Sequence, residues 1–130
     1  MQQQSNGSFH MRFPCLPDTL IPHLDVNGDL GNFVYAVHQK PPGGNYMAVG
    51  SHATWPEYLR AWAKAAGVPA EKAVYKQVSV DDMIADTPDR DAGIEVAIMF
   101  AYSDDTGYGG GMELQTAEDL RKVSDHELEV

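Results

Sequence analysis

Thr54-Trp55-Pro56-Glu57 constrains the fold of this chain more than any other segment. A threonine followed three residues later by glutamate is a capping box, in which side chains satisfy the free N–H groups of a helix start. Pro56 falls in the first turn, where a missing N–H costs nothing. Trp55, Tyr58, Leu59, Trp62, Ala63 and Ala66 then recur at helical spacing, and Gly67 supplies the stop. Extended segments flank this helix: Tyr46-Met47-Ala48-Val49 before it and Val74-Tyr75-Lys76-Gln77-Val78 after it. Strand, helix and strand over so short a stretch predict a βαβ unit with its two strands parallel.

The rest of the chain reads around that unit. Phe9-His10-Met11-Arg12-Phe13 and Leu20-Ile21-Pro22-His23-Leu24 are predicted as short extended pieces, the second limited by its proline. Leu30, Phe33, Val34 and Val37 predict a helix from about Gly28 to His38, closed by Pro41-Pro42-Gly43-Gly44. Ser79-Val80-Asp81-Asp82 opens a short helix. A longer helix follows from about Asp91 to Ser103, and Thr116 begins a last one. The expectation is an α/β fold with a small, partly parallel sheet, a βαβ unit and four to five helices. Residues 1–8 are expected to be a disordered end, residues 9–122 one domain, and residues 123–130 an acidic, flexible tail.

Charge narrows the partners. The chain carries a net charge of −10. Residues 1–78 hold six Lys/Arg against five Asp/Glu, and residues 79–130 hold three against fourteen. Such a surface repels phosphate backbones and anionic membranes, so neither nucleic acid nor membrane is expected as a partner. No apolar run approaches the roughly 18 residues of a membrane span. Cys15 is the single cysteine. It has no basic neighbour closer than Arg12, so no activated nucleophile is read there. With one thiol and no secretory h-region, a cytoplasmic location is expected.

Few constellations suggest chemistry. Asp25-Val26-Asn27-Gly28-Asp29 places oxygen ligands at alternate positions, as a calcium loop does. Leu30 stands where such a loop needs glycine, however, and Ala36 where it needs a bidentate glutamate. The histidines show no metal-ligand spacing, so no metal is expected. Tyr108-Gly109-Gly110-Gly111 follows a helix instead of preceding one, which suits a loop and not a phosphate cradle. His23, Asp25 and Asp29 lie together at a helix start, and a histidine beside carboxylates can act as a general acid or base near neutral pH.

Four blocks, in order, carry a resemblance to a known family: Ile21 to Gly31, Tyr46 to Gly50, Thr54 to Tyr58, and Tyr75 to Met83. They resemble the C-terminal, substrate-side portion of the NmrA-like family, atypical short-chain dehydrogenase/reductase proteins, in a style similar to the fungal members. The family's Rossmann half carries a Gly-rich strand-to-helix turn, and no such turn stands near Met1. The dinucleotide-binding half is therefore expected to be missing, and with it any NAD(P) cofactor. The resemblance implies that the segments around His23 to Asp29 and around Tyr102 to Tyr108 line a cleft. It leads to the expectation of a cofactor-independent isomerase, cyclase or lyase of specialised metabolism acting on a small organic substrate. In that reading His23, Asp25 and Asp29 transfer protons, and Phe33, Tyr102 and Tyr108 hold the substrate. The alternatives are a non-catalytic ligand- or protein-binding regulatory module and a truncated reductase remnant. A strand edge left by the missing half would favour a homodimer.

Overall fold

The computed structural model of the protein describes residues 1–120. The acidic tail expected over 123–130 lies outside them. Among the described residues the fold is α/β, with four complete α-helices and the start of a further one, a 3-10 turn, a mixed three-stranded sheet and a separate two-stranded sheet. Contacts divide the chain into two compact units: Met1–Ile21 with Ala53–Tyr108, and Pro22–His52 with the segment from Gly109 onward.

The first unit is built on a sheet of β1 (Gln2–Gln3), β2 (Phe9–Phe13) and β5 (Ala73–Gln77). β1 runs antiparallel to β2, and β2 runs parallel to β5 with Phe9 opposite Ala73 and Phe13 opposite Gln77. The first eight residues, expected to be frayed, therefore carry a paired strand. The signal for it is Asn6-Gly7. Gly7 adopts a φ of 78°, which favours glycine, and its N–H donates to the Gln4 carbonyl at 2.9 Å. The Asn6 side chain accepts from both the N–H and the hydroxyl of Ser8.

Helix α2 (Trp55–Ala65) packs against β5 and buries Leu59 and Ala63. Both halves of its capping box form: the Thr54 N–H donates to Glu57 at 2.8 Å, and the Glu57 N–H donates to the Thr54 hydroxyl at 3.3 Å. Helix α3 (Val80–Asp86) is capped the same way by Ser79 and Asp82. It packs against α4 (Arg90–Asp105), whose N-cap Asp89 accepts from two backbone N–H groups. Phe100 of α4 stacks on Phe13 of β2 at 4.0 Å between ring centroids, and Trp55 meets both edge-on. Trp62 meets Phe9 edge-on at 5.1 Å.

The expected βαβ unit needs correction. Residues 46–49 form no strand; Tyr46 makes one isolated bridge to Gln115. The strand before α2 is β4 (Ser51–Ala53), and its partner is β3 (Ile21–His23). The parallel partner of β5 is β2, far earlier in the chain. The five-residue β2 offers a longer ladder than a three-residue strand, so the helix-flanking strands do not pair with each other.

The second unit holds α1 (Leu30–His38) and the start of a further helix at residues 117–120. The loops between them are joined where the Met47 N–H donates to the Gln115 carbonyl at 2.8 Å and the Gln115 N–H to the Asn45 carbonyl at 3.0 Å. The predicted stripe of α1 does not form a core: no α1 residue is buried, and Val34 is 58% exposed.

Candidate functional site

Within the second unit, one face of α1 forms a wall of a cleft of about 450 Å³. The face follows from helical spacing: Asp29, Asn32, Phe33, Ala36 and Lys40 project along one side. Leu24, Val49, Gly50 and Leu120 contribute apolar and backbone surface to the lining. Of the described residues of this unit, Val49 and Leu120 are the buried apolar ones, and both face the cleft.

The two ends of α1 present different chemistry. Asp29 occupies the N-cap position, yet its carboxylate makes no capping hydrogen bond. It lies over Gly50 instead. A Cβ at position 50 would come within 3.1 Å of its Oδ2, so glycine there leaves room for the carboxylate. The Gly50 N–H donates to the His23 carbonyl at 2.9 Å, which fixes that approach. At the other end the Lys40 N–H donates to the Val37 carbonyl, continuing the last turn and carrying the half-buried lysine onto the cleft.

The residues expected from the sequence are distributed as follows. Asp29 and Phe33 line the cleft. Asp25 is exposed, and its carboxylate accepts from the Asn27 N–H at 3.1 Å. His23 is half-buried in β3 and is not among the lining residues. Tyr102 and Tyr108 belong to the first unit, where they are 49% and 61% exposed. Lys40, Asn32 and Ala36 line the cleft without having been expected there. Phe33 belongs both to this face and to the expected apolar stripe, and Asn32, Ala36 and Lys40 stand beside it at helical spacing. No family model matches the chain, and no curated protein matches it.

The first unit holds a second polar cluster. The Asp104 carboxylate accepts from the Leu16 N–H at 2.8 Å, the Cys15 thiol at 3.2 Å and the Thr19 hydroxyl. The Tyr75 hydroxyl donates to the Cys15 carbonyl at 2.6 Å. Burial, reinforced by the Asp104 carboxylate, pushes the Cys15 thiol up to about 12, and burial also raises the Tyr75 phenol. A thiol held protonated and fully enclosed is a packing and hydrogen-bonding group, not a nucleophile. Among the described residues no group of His, Cys, Asp and Glu converges as metal ligands would. No helix among them is long and apolar enough to cross a membrane.

Proposed function

We propose that the second unit is a receptor for a small organic molecule, bound along α1. The observation that carries this is the cleft itself. Its volume of about 450 Å³ lies within the roughly 300–1,000 Å³ usual for ligand sites. Its lining is the usual mixture: an apolar body from Leu24, Phe33, Ala36, Val49 and Leu120, and a few polar groups in Asp29, Asn32 and Lys40. A helix that is apolar around much of its circumference and buries no residue has surface left over for a ligand. The reading agrees with the resemblance to the substrate-side portion of NmrA-like proteins, which likewise points to a cleft beside this helix.

A catalytic version of the reading rests on Asp29. It is the ionisable member of the expected His23–Asp25–Asp29 group that lines the cleft, so it is the group that would move a proton in cofactor-independent isomerisation, cyclisation or elimination. The test of the binding reading is a screen of small organic acids, alcohols and amines by nitrogen–proton correlation spectra. Hits should move the amides of Phe33, Ala36 and Gly50. Ala36→Trp, which fills the cleft from a half-buried position on α1, should abolish every hit while the spectrum of the first unit is retained. Hits that survive Ala36→Trp would place binding elsewhere. For the catalytic version, Asp29→Asn should bind any substrate and fail to turn it over.

A further inference from the structure

The chemistry at the two ends of α1 narrows the ligand. We infer that the cleft takes an elongated carboxylic acid whose carboxylate meets Lys40, whose apolar chain lies along Phe33 and Ala36, and whose far end donates a hydrogen bond to Asp29. This rests on the proposal that the cleft is a ligand site.

Lys40 is the lone lysine or arginine among the described residues of the second unit. In an acidic chain this one cation is half-buried against an apolar cleft, and among the described residues it makes no ion pair. A lysine just past a helix C-terminus also complements the dipole. That role needs only an exposed ammonium, whereas Lys40 lies on the cleft lining. An ammonium in such a setting favours an anion that brings its own apolar body, because the carboxylate replaces lost water as a charge-assisted partner.

Asp29 supplies the opposite requirement. An aspartate at an N-cap ordinarily accepts from the second or third N–H of its helix. Here it does not, and the carboxylate is turned over Gly50 with both oxygens able to accept. A hydroxyl or ammonium at the far end of the ligand satisfies it. Asp29 precedes and Lys40 follows α1, whose nine residues rise about 13 Å, and both belong to the cleft lining. The ligand is therefore a chain of medium length and not a compact ring. Between its ends the lining includes Phe33 and Ala36 with the uncharged Asn32, Tyr35 and Gln39 beside them, and Val49 and Leu120 from other segments, with no further charge.

The experiment uses the full chain and three probes below their micelle concentrations: dodecanol, dodecanoate and ω-hydroxydodecanoate. Affinity is read by calorimetry, and position by the amide shifts of Phe33, Ala36 and Gly50. Affinity should rise from dodecanol to dodecanoate to ω-hydroxydodecanoate. Lys40→Met should weaken dodecanoate about tenfold, the usual worth of one hydrogen bond to a charged group, and leave dodecanol unchanged. Asp29→Ala should remove the preference for the ω-hydroxyl and leave dodecanoate unchanged. If all three probes bind in the cleft but Lys40→Met leaves the ratio of acid to alcohol unchanged, or Asp29→Ala leaves the hydroxyl preference intact, the ligand class is wrong and the cleft remains a binding site. If no probe shifts those amides, the ligand class falls, and a general screen that also leaves them unmoved removes the binding reading as well.

Discussion

The two units spend their apolar residues differently. The first closes a core: Met11, Cys15, Ile21, Leu59, Ala63 and Ala97 are buried, two aromatic groupings lock β2 to α2 and α4, and each of α2, α3 and α4 has its N-terminus capped by a side chain. The second has Val49 and Leu120 buried among its described residues, a helix with none, and an N-cap aspartate that does not cap. The first arrangement yields a fixed scaffold. The second leaves apolar surface and polar groups uncommitted, which is what a ligand site requires and what stability alone would disfavour.

Substitutions break or sharpen this contrast. Leu59→Ala should have the largest effect, lowering stability by about 2–5 kcal/mol, because Leu59 is 1% exposed and its loss opens a cavity. Urea unfolding followed by tryptophan fluorescence measures it. Next comes Asp104→Ala, at about 1–3 kcal/mol, since three donors lose their acceptor. The same cluster shields Cys15: a thiol reagent at neutral pH should label it only after unfolding, and prompt labelling of the native protein would show that the cluster opens.

The capping pair compares the units directly. Thr54→Ala removes a complete capping box and should lower stability by about 1 kcal/mol. Asp29→Ala removes no capping bond and should change it by no more than about 0.5 kcal/mol, as for an ordinary surface position. Equal effects would mean that Asp29 is structural after all. The smallest expected effect is on pH dependence. Hydrogen bonds from Thr54 hold Glu57 below its ordinary 4.5, and hydrogen bonds with Ser79 hold Asp82 below its ordinary 3.8. Both lowered values belong to the folded state, so their stabilisation is present above the ordinary values and is lost as pH falls through the lowered ones. Thermal melts should therefore show a shallow acid decline that Thr54→Ala and Ser79→Ala each reduce.

What the sequence revealed follows the same division. The capping boxes at Thr54 and Ser79, the strand at Phe9 to Phe13 and the long helix, expected from about Asp91 to Ser103 and running Arg90–Asp105, were all legible, because local signals and the final packing agree there. Strand pairing was not, since no residue in Ser51-His52-Ala53 or Phe9 to Phe13 encodes which partner wins. The face of α1 was legible in part: Leu30, Phe33 and Val37 of the expected stripe are half-buried, whereas Val34 is exposed. With apolar residues around most of its circumference, periodicity cannot say which side meets a wall, and the deciding group, Gly50, is distant in sequence. Of the expected site, Asp29 and Phe33 fall on the cleft, and Tyr102 and Tyr108 are surface residues of the other unit.

Native-state hydrogen exchange with and without ω-hydroxydodecanoate tests the central claim most directly, because it reports local stability residue by residue. In the free protein the amides of α1 should exchange well before those of α2 and the β2–β5 pair. Ligand should slow exchange in α1 and leave α2 and the β2–β5 pair unchanged. If α1 is already as protected as α2, and remains unchanged when ligand is added, the second unit is a closed core and not a binding site.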